Sequence, residues 1–191
     1  MVNMKMERIS LRYRSLSEIV GSADGMSIIT LTDESEERAL NIICDKTMAA
    51  QLQLRSEQVA ICKSLLPEVL TAMLQEYVDL KDLEITVYDI RDGQYLVSLM
   101  NSDNYFIRQI RMSDAILLHV ISNIPISIDK KLMQAQSVPF RPNVERVSIP
   151  INVLETDKLR EELGKAVEEE DYRLASYINE ELKRREEGAE S

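Results

Sequence analysis

The chain has 191 residues, with 33 acidic side chains against 23 Lys and Arg, a formal charge of −10, one His, two Cys and no Trp. A composition of 45% hydrophobic and 29% charged residues, with only five Gly and five Pro, is that of a globular chain and excludes collagen-like and low-complexity classes. The acidic surplus argues against gripping nucleic acid through a diffuse positive field, though not against meeting it at a local site.

The rare residues exclude more. Cys44, Cys62 and His119 are too few for the four ligands of a structural zinc site, and two thiols make no disulfide framework. Met1–Arg14 carries charge at Lys5, Glu7, Arg8, Arg12 and Arg14, so no signal-peptide core is expected there. No apolar run approaches the roughly 18 residues that span a bilayer. The expectation is a cytosolic protein with reduced thiols and no membrane partner.

In chain order, Ile9, Leu11 and Tyr13 alternate with Arg8, Ser10, Arg12 and Arg14 as a strand. A turn at Ser22–Gly25 leads to a second strand, Met26–Thr32, and charged Asp33–Arg38 separates it from a third, Ala39–Cys44. Asp45 is placed as the N-cap of a helix through Met48, Ala49, Leu52 and Leu54. Pro67 suits the first position of a stronger helix, whose core face is predicted from Val69, Leu70, Met73, Leu74 and Tyr77.

Leu83, Ile85 and Val87 then open a three-strand antiparallel meander, with turns at Asp92-Gly93 and Asn101–Asn104 and a last strand Tyr105–Arg111. Ser113 is placed as the cap of a helix through Ile116, Leu117, Val120 and Ile121, ended by Ser122-Asn123. Pro125–Ile128 reads as a short strand, and Asp129 as the cap of Lys130–Gln136. Strands and helices without regular alternation predict an α+β domain with a mainly antiparallel or mixed sheet, barrel-like at the limit.

Pro139, Pro142 and Pro150 punctuate an irregular stretch, after which two stripes at 3–4 spacing return. Leu159, Leu163, Ala166 and Val167 form the first, and Tyr172, Ala175, Ile178 and Leu182 the second, predicting an antiparallel helical hairpin. The resulting division is an α+β domain over 1–136, a linker over 137–152 and the hairpin with its tail over 153–191. Residues 151–191 hold 13 acidic and 7 basic side chains, so −6 of the charge sits there and −4 on residues 1–150.

Two resemblances follow from these residues. Asp89-Ile90-Arg91-Asp92-Gly93, then Ile110-Arg111-Met112-Ser113-Asp114-Ala115-Ile116, then Ile124-Pro125-Ile126-Ser127-Ile128 and Lys131-Leu132-Met133 resemble the bifunctional nuclease family across about residues 4–136. The chain departs from that pattern at Cys44–Ala49, where members usually show Ile-Gly-x-x-Glu-Ala, and at Leu66-Pro67-Glu68, where they often show Thr-His-Asp. Residues 155–187, with Asp171-Tyr172, Ala175-Ser176 and Glu181-Leu182, resemble the UVR motif of the excision-repair proteins UvrB and UvrC. In that motif a helical hairpin pairs with another copy, which implies a protein partner or self-association here, and a homo-oligomer is expected.

The candidate site is Arg111-x-Ser113-Asp114. Arg111 offers phosphate a planar fork of donors, and a helix start beside it offers free N–H groups. In a catalytic reading Arg111, Ser113 and Asp114 act on the substrate, while Asp89, Asp92 and Asp114 hold Mg²⁺ or Mn²⁺ for phosphodiester hydrolysis. In a purely architectural reading Ser113 caps, Asp114 complements the helix dipole, Arg111 pairs with a carboxylate and Asp92-Gly93 only makes its turn. His119 reads as a satisfied helical His, and Arg8, Arg12 and Arg14 as either phosphate contacts or balance for the acidic surplus. The resemblances imply a metal-assisted nuclease of DNA or RNA with a hairpin for protein contact. The rival expectation is a noncatalytic scaffold linked to DNA repair or stress response.

Overall fold

The computed structural model describes residues 7–19, 25–91, 93–101, 103, 105–142, 154 and 156–189. Eight strands are found among them: β1 (Arg8–Glu18), β2 (Ser27–Asp33), β3 (Arg38–Cys44), β4 (Leu83–Arg91), β5 (Gln94–Asn101), β6 (Phe106–Ile110), β7 (Ile126–Asp129) and β8 (Val138–Pro139). The helices are α1 (Lys46–Ser56), α2 (Leu66–Gln75), α3 (Met112–Ser122), α4 (Lys130–Gln136), α5 (Thr156–Glu168) and α6 (Tyr172–Ala189).

The strands form one mixed sheet in the order β6-β5-β4-β7-β1-β2-β3-β8. The β4–β7 pair is parallel and every other pair is antiparallel. The α+β prediction and the meander hold. The barrel-like limit does not: β6 and β8 end the sheet and do not pair with each other. Curvature is nonetheless strong, because β3 and β5 line one cleft although β4, β7, β1 and β2 separate them in the sheet. Breaks in register at Tyr13/Ser15, Val87/Asp89 and Leu99/Met100 supply local bends of the kind that bulges introduce.

Alternation along each strand sends Ile29 and Leu31, Leu40 and Ile42, Ile85 and Val87, and Ile126 and Ile128 to one side. There they pack with Met48, Ala49 and Leu52 of α1, Met112, Ala115 and Ile116 of α3 and Met133 of α4 in a single core. The intervening positions are small and polar, yet buried: Thr30, Asn41, Thr86, Ser98 and Ser127. Thr86 stands opposite both Ser98 and Ser127, and Thr30 donates to Asn41 Oδ1 at 3.2 Å. β2 is therefore buried on both faces.

Caps behave as the sequence indicates at two helices. Asp45 accepts from Met48 N at 2.9 Å, and Asp129 accepts from the N–H groups of Lys131 and Leu132. Asn123, in the left-handed conformation at φ 57°, ends α3. Ser113 is not a cap. Arg111 occupies that position, and Ser113 falls inside the first turn of α3. The Pro-containing stretch also contributes more than connection: Val138 and Pro139 pair with β3, and Arg38 donates from Nε to Ser137 Oγ at 2.7 Å.

α5 and α6 pair through Leu159, Leu163, Ala166, Ala175, Ile178 and Leu182, as their stripes predict, whereas Val167 and Tyr172, assigned to the same stripes, flank the turn and are exposed. The acidic run between them is a structured turn. Asp171 N bonds to Ala166 O and Glu170 N to Val167 O, a Schellman closure with Glu170 at φ 57°. Asp171 then accepts from Leu174 N at 3.0 Å and opens α6. No helix among the described residues is long and apolar enough to cross a membrane.

Candidate functional site

The start of α3 faces the curled sheet across a cleft of about 590 Å³. Its walls come from Asn41–Ile43 on β3, Gly93–Leu96 at the β4–β5 turn, and Gln109–Ser113 at the β6–α3 junction. The short β6–α3 connection is what places Arg111 at the rim, since the strand ends at Ile110 and the helix begins at Met112. First-turn N–H groups of a helix have no intrahelical acceptor, so those of α3 offer donors at its start.

Arg111 is 76% exposed and bound to one carboxylate. It donates from Nε to Asp114 Oδ2 at 2.6 Å and from Nη2 to Asp114 Oδ1 at 3.1 Å. Those hydrogen bonds raise its pKa above the ordinary value, with the Asp114 charge and then Asp45 acting in the same direction. A guanidinium has five N–H donors and Asp114 takes two, which leaves three for a phosphate. Asp114 thus orients Arg111 and holds its fork at the rim.

Of the predicted carboxylate set, Asp89 and Asp114 fall among the described residues. Asp89 is exposed and accepts from its neighbour Ile90 N at 2.8 Å, next to the break in register on β4. Both Asp114 oxygens are engaged by Arg111. Asp92 lies outside the described residues, although Gly93 beside it lines the cleft and takes the positive φ of 73° that the hairpin turn requires. Among the described residues, no group of three or more His, Cys, Asp or Glu side chains is arranged to hold a metal ion.

Other candidates resolve into architecture. His119 donates from Nδ1 to the Ile124 carbonyl at 2.8 Å, the tautomer following from the acceptor. Arg8, Arg12 and Arg14 pair with Glu84, Glu34 and Glu36, so the reading of balance for acid fits them. Cys44 and Cys62 are buried and free, and burial followed by the Asp45 charge pushes the Cys44 thiol up to about 11.

Sequence reasoning missed three polar residues of the cleft, Asn41, Gln94 and Gln109, and the second role of Asp45. Asn41 left one signal, a carboxamide in the middle of the apolar run Ala39–Cys44. Asp45 left none beyond its cap, because its effect on Arg111 depends on how α1 and α3 meet.

Compared with known families, residues 29–141 match the bifunctional nuclease domain. No curated protein matches the chain.

Proposed function

The chain belongs to the bifunctional nuclease domain family, the match covering more than half of its length, and we propose that it hydrolyses phosphodiester bonds of DNA or RNA at the cleft in front of α3. The observation that carries this reading is Arg111, exposed at the rim, oriented by Asp114 and left with three donors beside a helix start. Water attacks phosphorus, one P–O ester bond breaks, and the leaving oxygen takes up a proton. Negative charge grows on the non-bridging oxygens, where a fixed guanidinium and backbone N–H groups stabilise it. Asn41, Gln94 and Gln109 add uncharged donors and acceptors along the walls.

The assay follows cleavage of supercoiled plasmid, single-stranded DNA and RNA by purified protein, with Mg²⁺, with Mn²⁺ and with EDTA. Arg111→Ala is expected to lower kcat/KM by about 100-fold, the scale of losing one transition-state donor, with the circular dichroism spectrum unchanged. Wild-type cleavage no greater than a mock preparation, or an Arg111→Ala protein of full activity, overturns the reading. Activity in EDTA assigns the reaction to the protein side chains, and its loss assigns a cation held in part by residues beyond those described.

The proposal extends to the hairpin of α5 and α6 as a UVR-type element for protein contact. Its apolar stripe is engaged within the pair, so contact falls to the turn end, where Val167 and Tyr172 are exposed. Val167→Glu with Tyr172→Ala is expected to remove partner capture and leave hydrolysis intact.

A further inference from the structure

α2 is an amphipathic helix docked the wrong way round for a core element. Its least exposed positions are Pro67, Glu68 and Thr71, which share one face. Glu68 points inward to Arg55 of α1, Oε2 to Nη2 2.8 Å, and the Arg55 side chain is only 6% exposed. Thr71 closes back on the Pro67 carbonyl at 2.8 Å. The opposite face carries Leu66, Val69, Leu70, Met73, Leu74 and, just past the helix end, Tyr77. All six are exposed, with Leu66 at 68%, Met73 at 57% and Tyr77 at 86%. The sequence assigns this stripe to the core, and the structure turns it outward.

From this inverted face we infer that α2 is the contact between two copies of the chain, paired antiparallel with its own mate across a two-fold axis. Three observations select a second copy. The stripe exposes on the order of 600 Å² of residue surface, most of what one partner brings to a standard interface and above what isolated monomers usually leave bare. It carries no charge, because the one ionisable group of the helix, Glu68, faces Arg55. Nothing on it selects an ionic partner, and for two chains of charge −10 it is a place where close approach meets no like charge. A straight ridge at 3–4 spacing is also self-complementary: rotated by a half-turn, its ridges meet the grooves of its mate. Met73 and Leu70, at the middle of the stripe, fall nearest the axis.

Sedimentation equilibrium of the full chain at about 50 μM, where contacts of micromolar affinity are populated, is expected to give twice the 21.9 kDa chain mass. Leu70→Glu with Met73→Glu places four like charges at the axis and is expected to weaken dimerisation by at least about 100-fold. Its circular dichroism should be unchanged, because neither side chain is buried. Independently of that variant's folding, Met73→Cys is expected to form an interchain disulfide under mild oxidation, while the native Cys44 and Cys62 stay buried. Lys183→Cys on α6 serves as the control. A monomeric wild-type chain, a folded double-glutamate variant that remains dimeric, or cross-linking at Lys183→Cys in place of Met73→Cys overturns the inference, the last by assigning the contact to the hairpin.

Discussion

Arg184, on the second helix of the C-terminal pair, donates from Nη1 to the carbonyl oxygen of Ile90 on β4 at 2.5 Å. The same guanidinium holds Glu181, which is 3% exposed and also accepts from Arg185 at 2.9 Å. Arg185 reaches on to the Leu154 carbonyl at 2.7 Å. One buried carboxylate thus anchors two arginines, and through Arg184 the helical pair is tied to the strand that carries Asp89 and leads into the cleft.

Removing that carboxylate should release the helical pair. Glu181→Ala takes the carboxylate from two partly buried guanidinium groups and leaves them only carbonyl and hydroxyl acceptors, and a cost of about 2–3 kcal/mol is expected. Amide exchange of α6 should rise well before that of β4 and β5. Uniform protection across the chain would show that the pair is held by its apolar contacts alone.

Tyr95 offers the opposite case. Its hydroxyl is buried without a hydrogen-bond partner among the described residues. Burial raises its pKa strongly, Glu181 adds to the rise and Arg184 opposes it. Tyr95→Phe removes an unsatisfied polar group and keeps the ring, so urea unfolding should show stability unchanged or higher by up to about 1 kcal/mol.

Stability should fall in alkali. The Cys44 thiol lies at about 11 in the folded chain against 9.0 as an ordinary thiol, and Tyr13 and Tyr95 are raised above 10.0. A raised folded pKa means that the unfolded chain loses its proton first, so stability is complete below about pH 9 and declines as pH climbs towards 11. Cys44→Ser should flatten the first part of that decline, an effect on the order of 1–2 kcal/mol by pH 11. Thermal melts from pH 7 to pH 11 read it.

In the proposed nuclease site, Asp114 positions Arg111. Asp114→Asn keeps one acceptor for the fork, whereas Asp114→Ala keeps none. The expected order of kcat/KM is wild type, then Asn, then Ala, with Ala about tenfold or more below wild type. Equal loss in both variants would assign Asp114 a charge-dependent part in the reaction itself.

The α5–α6 turn contains a residue that favours another side chain. Glu170 holds φ 57° at the Schellman position where glycine is usual. Glu170→Gly is expected to raise stability by about 0.5–1 kcal/mol, measured in urea, because the left-handed conformation carries no penalty without a Cβ.

Local chemistry was largely legible in the chain. Asp45 and Asp129 cap helices, Asn123 ends one, Gly93 turns a hairpin, and the stripes of α5 and α6 find each other. Each depends on residues within a few positions of one another, which sequence spacing records directly. The family resemblance over the nuclease-like segments rests on the same kind of local order, and the match over residues 29–141 bears it out.

What spacing cannot record is which face of an element meets the rest of the molecule. The apolar stripe of α2 satisfies every sequence criterion for a core face, yet the ion pair of Glu68 with Arg55, thirteen positions earlier, docks the helix by its other side. The cleft is likewise a product of curvature, bringing β3 to β5 across four intervening strands and setting Arg111 at its rim. The −10 charge that excludes a broad basic footprint is a property of the sequence alone. That Asp114 and Asp45 act on the one guanidinium at the mouth of the cleft is a property of the fold, because Coulomb and hydrogen-bond energies depend on distances that only the folded chain sets.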